Sequence, residues 1–170
     1  GEPSLREAVG LVLDNPDWLR LEGRPVVVPG AAAEMGPLRS LLRWGATVAA
    51  VDLPRPDLWT RVLADTASSA GRLLVPASPG TSPLAERAGV DLIAGLPTAP
   101  GWVCGLPGQL VVGNYVYADA ATNVRVSTAV DAMTRIVRLA RPDTALSFLA
   151  TPTDVFAVPG EAVDASAQSY

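Results

Sequence analysis

Short runs of β-branched and aliphatic residues alternate along this chain with longer segments whose apolar residues recur every three or four positions. "PVVVPG" is apolar throughout and closed by Pro-Gly, the pattern of a strand buried on both faces of a parallel sheet. "ATVAAVDL", "GRLLVPAS", "GQLVVGNYVYAD" and "TALSFLATP" repeat the pattern and predict four more strands. Between them, helical spacing predicts a helix over 35–44, with Pro37 in its first turn and Gly45 at its C-terminal end, and another over about 57–68. "TSPLAERAGVDLIAG" predicts a short helix followed by a strand or turn.

The clearest helix is 123–141. Val126, Ala129, Val130, Met133, Val137 and Ala140 line one side and Arg125, Asp131, Arg135 and Arg138 another, and Pro142 stops it. Leu5, Val9, Val12 and Leu13 predict a leading helix ended by Asn15-Pro16, and "EAVDASAQSY" can begin a last one. Strands and helices alternating at these lengths imply an α/β fold: a three-layer, doubly wound, mostly parallel, Rossmann-like sheet of about five or six strands. The expected organisation is one domain over 1–170, with a leading helix at 1–20, a nucleotide-binding-type core at 24–155 and a C-terminal helix or tail at 156–170.

Composition narrows the chemistry. Hydrophobic residues make up 49% of the 170 and charged residues 18%, more apolar content than one modest core uses. A homo-oligomer or partner-protein contact through an apolar surface is therefore expected, with the 123–141 helix and the leading helix as candidate faces. Proline, glycine or charge interrupts every apolar run before it could span a bilayer, and the N-terminal segment lacks the pattern of a signal peptide, so a cytoplasmic location is expected. A net charge of −4, with every basic residue a scattered arginine, opposes nucleic acid as a partner. There is no histidine and no lysine, and Cys104 stands alone, so neither a zinc site nor an imidazole or amine catalyst is signalled. Cys104, beside Trp102, reads as a buried small apolar residue.

In an open α/β sheet, ligands bind beyond the carboxyl ends of the strands. The first such loop here is "PGAAAEMG". With Gly30 and Gly36 it resembles the G-x-x-x-G-x-G turn of short-chain dehydrogenases/reductases, Glu34 standing at the second glycine. Asp52 ends the second strand where members of that family often place an acid on the adenosine ribose. "LVVGNYVYA" resembles the family's Asn-Ala-Gly strand and turn, with Asn114 at the asparagine, and "LSFLATPTD" the strand that delivers its active-site serine.

The resemblance implies an NAD(P)-binding, oxidoreductase-like domain with NAD as cofactor, or another small molecule in its place. Its site would comprise Gly30, Ala31, Glu34, Met35, Gly36, Asp52, Leu53 and Asn114, with Thr151, Tyr115 and Tyr117 as candidate catalytic groups. The family's Tyr-x-x-x-Lys pair has no counterpart in a chain without lysine, which points to a domain that does not catalyse alone. Each residue also has a plainer reading: a tight turn for the glycines, a solvated strand end for Asp52, strand-end hydrogen bonding for Asn114 and aromatic packing for the tyrosines. On those readings the chain is a binding or assembly module that keeps the fold without the cofactor. A methyltransferase reading meets no acid on "VVVPG".

Overall fold

A computed structural model describes residues 3–21, 23–34, 36–148 and 159–169. The chain divides into two compact units, Leu21–Leu149 and a smaller one formed by Gly1–Arg20 with Ala150–Tyr170.

The larger unit is an α/β sandwich. Its strands are β1 (Val26–Pro29), β2 (Thr47–Val51), β3 (Arg72–Leu74), β4 (Val111–Asn114) and β5 (Ala145–Phe148), all parallel in the order β3-β2-β1-β4-β5. β1 is central, paired with β2 from Val26↔Val48 to Pro29↔Val51 and with β4 at Val26↔Val111 and Val27↔Val112. The order reverses direction between β1 and β4, and that switch point is where a doubly wound sheet opens a crevice.

The uniformly apolar strands are explained by burial on both faces. Val26, Val28, Val48 and Ala50 join one core cluster, and the alternate residues Val27, Ala49 and Val51 join the other. The helices α2 (Leu38–Arg43) and α3 (Pro56–Thr66) cover the first face with Leu38, Leu41, Leu42, Leu58, Trp59 and Val62. The second is covered by α5 (Thr98–Cys104) and α6 (Ala120–Ala140), through Val103, Val130, Met133 and Val137. A short α4 (Leu84–Arg87) packs on α3. Each fully buried Val or Leu contributes about 1.5–3 kcal/mol of transfer free energy, so the two faces together supply the drive to fold.

Several boundaries differ from the periodicity. The first crossover helix is six residues long, because the described residues between Gly30 and Pro37 form turns and bends instead of helix. Gly45 follows α2 with φ +83, and its N–H donates to Leu42 O, the left-handed exit expected of it. α5 has no signature in the apolar spacing: Pro100 and Gly101 lie inside "TAPGWVC" and mask its buried residues Ala99 and Val103. Cys104 on the same helix is half-buried against the second cluster.

In the smaller unit, α1 (Pro3–Asp14) and α7 (Gly160–Ser169) contact each other, and a 3-10 turn at Pro16–Leu19 follows α1. The Asn15 side-chain amide donates to Leu11 O at 2.8 Å, satisfying a carbonyl that α1 leaves open as it ends at Asn15-Pro16. No helix among the described residues is long and apolar enough to cross a membrane.

Candidate functional site

A cavity of about 310 Å³ opens at the carboxyl ends of β1, β2 and β4. Its floor is the turn at Gly30, Ala32 and Ala33. One wall is the β2 exit, Val51 to Leu53, with Leu58 and Arg61 of α3; another is the loop Val90–Ile93. The segment Val116–Ala118 with Thr122 and Val126 of α6 closes the far side. The volume lies at the lower end of small-molecule sites, and the lining is mostly aliphatic with a few polar groups, the usual balance for an organic ligand.

Asp52 organises this site. Its Oδ2 accepts the Ala32 N–H at 2.8 Å and its Oδ1 accepts the Leu53 N–H at 2.8 Å, so one carboxylate ties the end of β2 to the turn after β1. The Asp52 carbonyl accepts the Val90 N–H at 2.8 Å, which brings the 90–93 loop to the same strand end. Gly89 makes that approach possible. At φ +105 it occupies backbone space unfavourable to other residues, and an added Cβ would lie 2.5 Å from Trp59 Nε1 and 2.7 Å from Leu53 O. The Trp59 indole N–H itself donates to Leu53 O at 2.9 Å. Asp91, in the cavity wall, accepts the Ile93 N–H at 2.8 Å.

Gly30 is needed where the sequence places it. Its φ is +70, and a Cβ there would stand 3.5 Å from Val116 Cα, so the β4 exit closes directly over the turn. Asn114 supports this closure: its Oδ1 accepts the Val116 N–H at 3.3 Å, turning the chain toward Gly30, while its own side chain stays off the cavity wall.

The turn engages its donors internally. The Gly30 N–H goes to Val51 O at 2.9 Å and Ala32 N–H to Asp52; Ala33 N–H goes to Gly30 O at 3.0 Å and Gly36 N–H to Ala33 O at 2.9 Å. Ala31 N–H also faces Val51 O, at 3.4 Å. The next residue, Pro37, has no N–H and is the N-cap of α2 without a side-chain bond. A phosphate over this turn would meet few of the free N–H groups that such loops ordinarily offer.

Glu34 lies on the other side. It lines a neighbouring hollow of about 350 Å³ between α2 and α3, with Ala31, Gly36, Arg39, Arg61 and Asp65, and it caps no helix. Of the residues expected from the family pattern, the fold thus gathers Gly30, Asp52 and Leu53 on the strand-end cavity and Ala31, Glu34 and Gly36 on the adjacent hollow; Met35 lies outside the described residues.

The candidate catalytic groups are dispersed. Tyr115 packs on the α2/α3 face, its ring over Gly113 and its hydroxyl 3.2 Å from Ser147 Oγ, away from the cavity. Tyr117 is 78% exposed at the cavity mouth. Thr151 lies outside the described residues.

Charge around the site is unevenly committed. The Arg55 guanidinium, hydrogen-bonded to Asp57 at 2.5 Å, holds that carboxyl below the usual carboxylate range. Arg39 is paired with Asp65 at 2.5 Å. Arg61, exposed on α3, lines both hollows and has no ion pair or side-chain hydrogen bond among the described residues. Neither Arg61 nor the 90–93 loop carries a motif that marks it as part of a site. Arg61 is three residues beyond the buried Leu58, a weak signal; the loop is placed by contacts distant in sequence. Among the described residues no cluster of carboxylates or thiol is arranged to hold a metal ion. No protein-family model, no curated protein and no solved structure matched the chain.

Proposed function

We propose that the strand-end cavity binds NAD through its adenosine half. The observation that carries this reading is Asp52: a carboxylate fixed at the end of β2, in the wall of a mostly aliphatic cavity at the switch point of a five-stranded parallel sheet. Each carboxylate oxygen accepts one backbone N–H and retains a further lone pair, so Asp52 can accept the two hydroxyls of a ribose. Leu53, Val90, Leu92 and Ile93 offer flat apolar contact for a purine, and Asp91 an acceptor for its amino group.

NAD is favoured over NADP, because a 2′-phosphate would be brought against Asp52 while Arg55 is engaged with Asp57. Affinity is modest, since the turn has few free donors for the pyrophosphate. The domain does not transfer hydride alone: it has no lysine to lower a tyrosine's pKa, and Tyr115 faces away from the cavity.

The engaged N–H groups of the turn also favour a second reading, a binding or assembly module that keeps the fold without the cofactor. Calorimetric titration separates the two. The first expects saturable heat with NAD, weaker binding of NADP, and loss in Asp52→Ala; absence of heat from NAD at millimolar concentration supports the second. Association through the exposed apolar side chains of α6, Val124, Ile136 and Leu139, is proposed alongside either reading, with concentration-dependent light scattering as its test.

A further inference from the structure

Arg61 stands out because the neighbouring charges and donors are already engaged. Arg39 and Arg55 are paired with Asp65 and Asp57, whereas Arg61 has no such partner and is the only cation of the cavity wall among the described residues. It also lines the second hollow, and the residues Ala32 and Ala33 of the turn line both hollows with it. Ala32 and Ala33 belong to the turn whose N–H groups at Gly30, Ala32, Ala33 and Gly36 are taken by Val51 O, Asp52 Oδ2, Gly30 O and Ala33 O. A negatively charged ligand extending from the cavity across the turn therefore finds few backbone donors and one free guanidinium.

We propose that Arg61 is the phosphate ligand of this site, taking the 5′-phosphates of an adenosine diphosphate moiety that the turn itself cannot cradle. The proposal rests on the adenosine reading above and adds the residue that selects for phosphate. A guanidinium suits this role because it is charged at all working pH values and presents paired donors matched to phosphate oxygens. The 5′ rather than the 2′ position follows from Asp52. Ribose hydroxyls held by that carboxylate leave a 2′-phosphate against like charge, while the 5′ substituent leaves toward Gly30, Ala32 and Ala33, beside Arg61. Because Arg61 is exposed, the interaction is sensitive to salt.

Calorimetric titration of adenosine, ADP and adenosine 2′-monophosphate into the parent chain, Arg61→Ala, Arg61→Lys and the control Arg55→Ala, at low and raised salt, tests this assignment. The parent is expected to bind ADP roughly tenfold tighter than adenosine, a preference that falls to within about twofold in Arg61→Ala, is partly kept in Arg61→Lys, and is unchanged in Arg55→Ala. Adenosine binding should be the same in all four. Adenosine bound with the ADP preference intact in Arg61→Ala would overturn the assignment of Arg61 while leaving the adenosine site standing. An Arg61-dependent gain for the 2′-phosphate instead of ADP would overturn the 5′ assignment. Failure of both adenosine and ADP to bind the parent would remove the adenosine reading and this one with it. ADP binding lost in Arg61→Ala, with adenosine silent throughout, would keep the phosphate site and remove the ribose site.

Discussion

Asp52→Ala tests whether one carboxylate holds the site together. The substitution removes two acceptors at 2.8 Å, one for the Ala32 N–H and one for the Leu53 N–H. The first bond is part-buried, so its loss strands a donor and costs about 1.5 kcal/mol; the second is exposed, and water replaces it at a cost of about 0.5 kcal/mol. The sum, about 2 kcal/mol, corresponds to a fall in Tm of roughly 4–8 °C for a domain of this size. Asp52→Asn retains one acceptor and turns an amide N–H toward the other donor, so about half the loss is expected. Thermal denaturation followed by circular dichroism measures both. A melt of Asp52→Ala within about 1 °C of the parent would show that the carboxylate is a solvated strand end and refute its role in tying β2 to the turn.

Gly89→Ala forces a Cβ to within 2.5 Å of Trp59 Nε1 at a residue with φ +105; a loss of about 3 kcal/mol in urea denaturation is expected, and a loss under about 1 kcal/mol would contradict the close packing at the β2 exit. By contrast Gly10→Ala, on α1 with open space around it, should be neutral or stabilising by up to about 1 kcal/mol. Glu34→Gly should tighten NAD by roughly threefold, less than a carboxylate seated on the phosphate would give, because Glu34 is exposed and lines the neighbouring hollow; calorimetry showing a gain of roughly tenfold or more would place it beside the phosphates after all. For Asp57, whose pKa is lowered by Arg55, the pair's stabilisation is present above the ordinary value of 3.8 and is lost as pH falls through the lowered folded value. Asp57→Asn should lower Tm slightly at neutral pH and converge on the parent as pH falls below the lowered value, so that its acid-side decline is shallower, and a parallel decline in both proteins would contradict the pairing.

The architecture was legible because "VVV" and "TVAAV" carry no charged residue on either face, which only a sheet covered on both sides permits. The long helix was legible from its period: Ala129, Val130, Met133 and Val137 are all buried, whereas Val126 is half-buried and Ala140, at the C-terminal end, is exposed. Asp52 was visible from its place at the end of a strand. What it does there was not, since its partner Ala32 lies 20 residues away and bonds through backbone that carries no residue signature. The same holds for the turn. Its glycines are readable, but the direction of each N–H is set by Val51 O, Gly30 O and Ala33 O, so the pattern could not reveal that the phosphate donors are already engaged. The 90–93 loop reads locally as a strand or turn, and the bonds Val90 N–H to Asp52 O and Gly89 N–H to Pro76 O make it a cavity wall.

The most direct measurement is a crystal structure of the chain soaked with NAD. The adenosine half is expected in the cavity between Leu53 and the Val90–Ile93 loop, with ribose hydroxyls within hydrogen-bonding distance of the Asp52 carboxylate and the pyrophosphate beside Arg61. An empty cavity at saturating NAD, or NAD bound elsewhere on the molecule, would contradict the adenosine site.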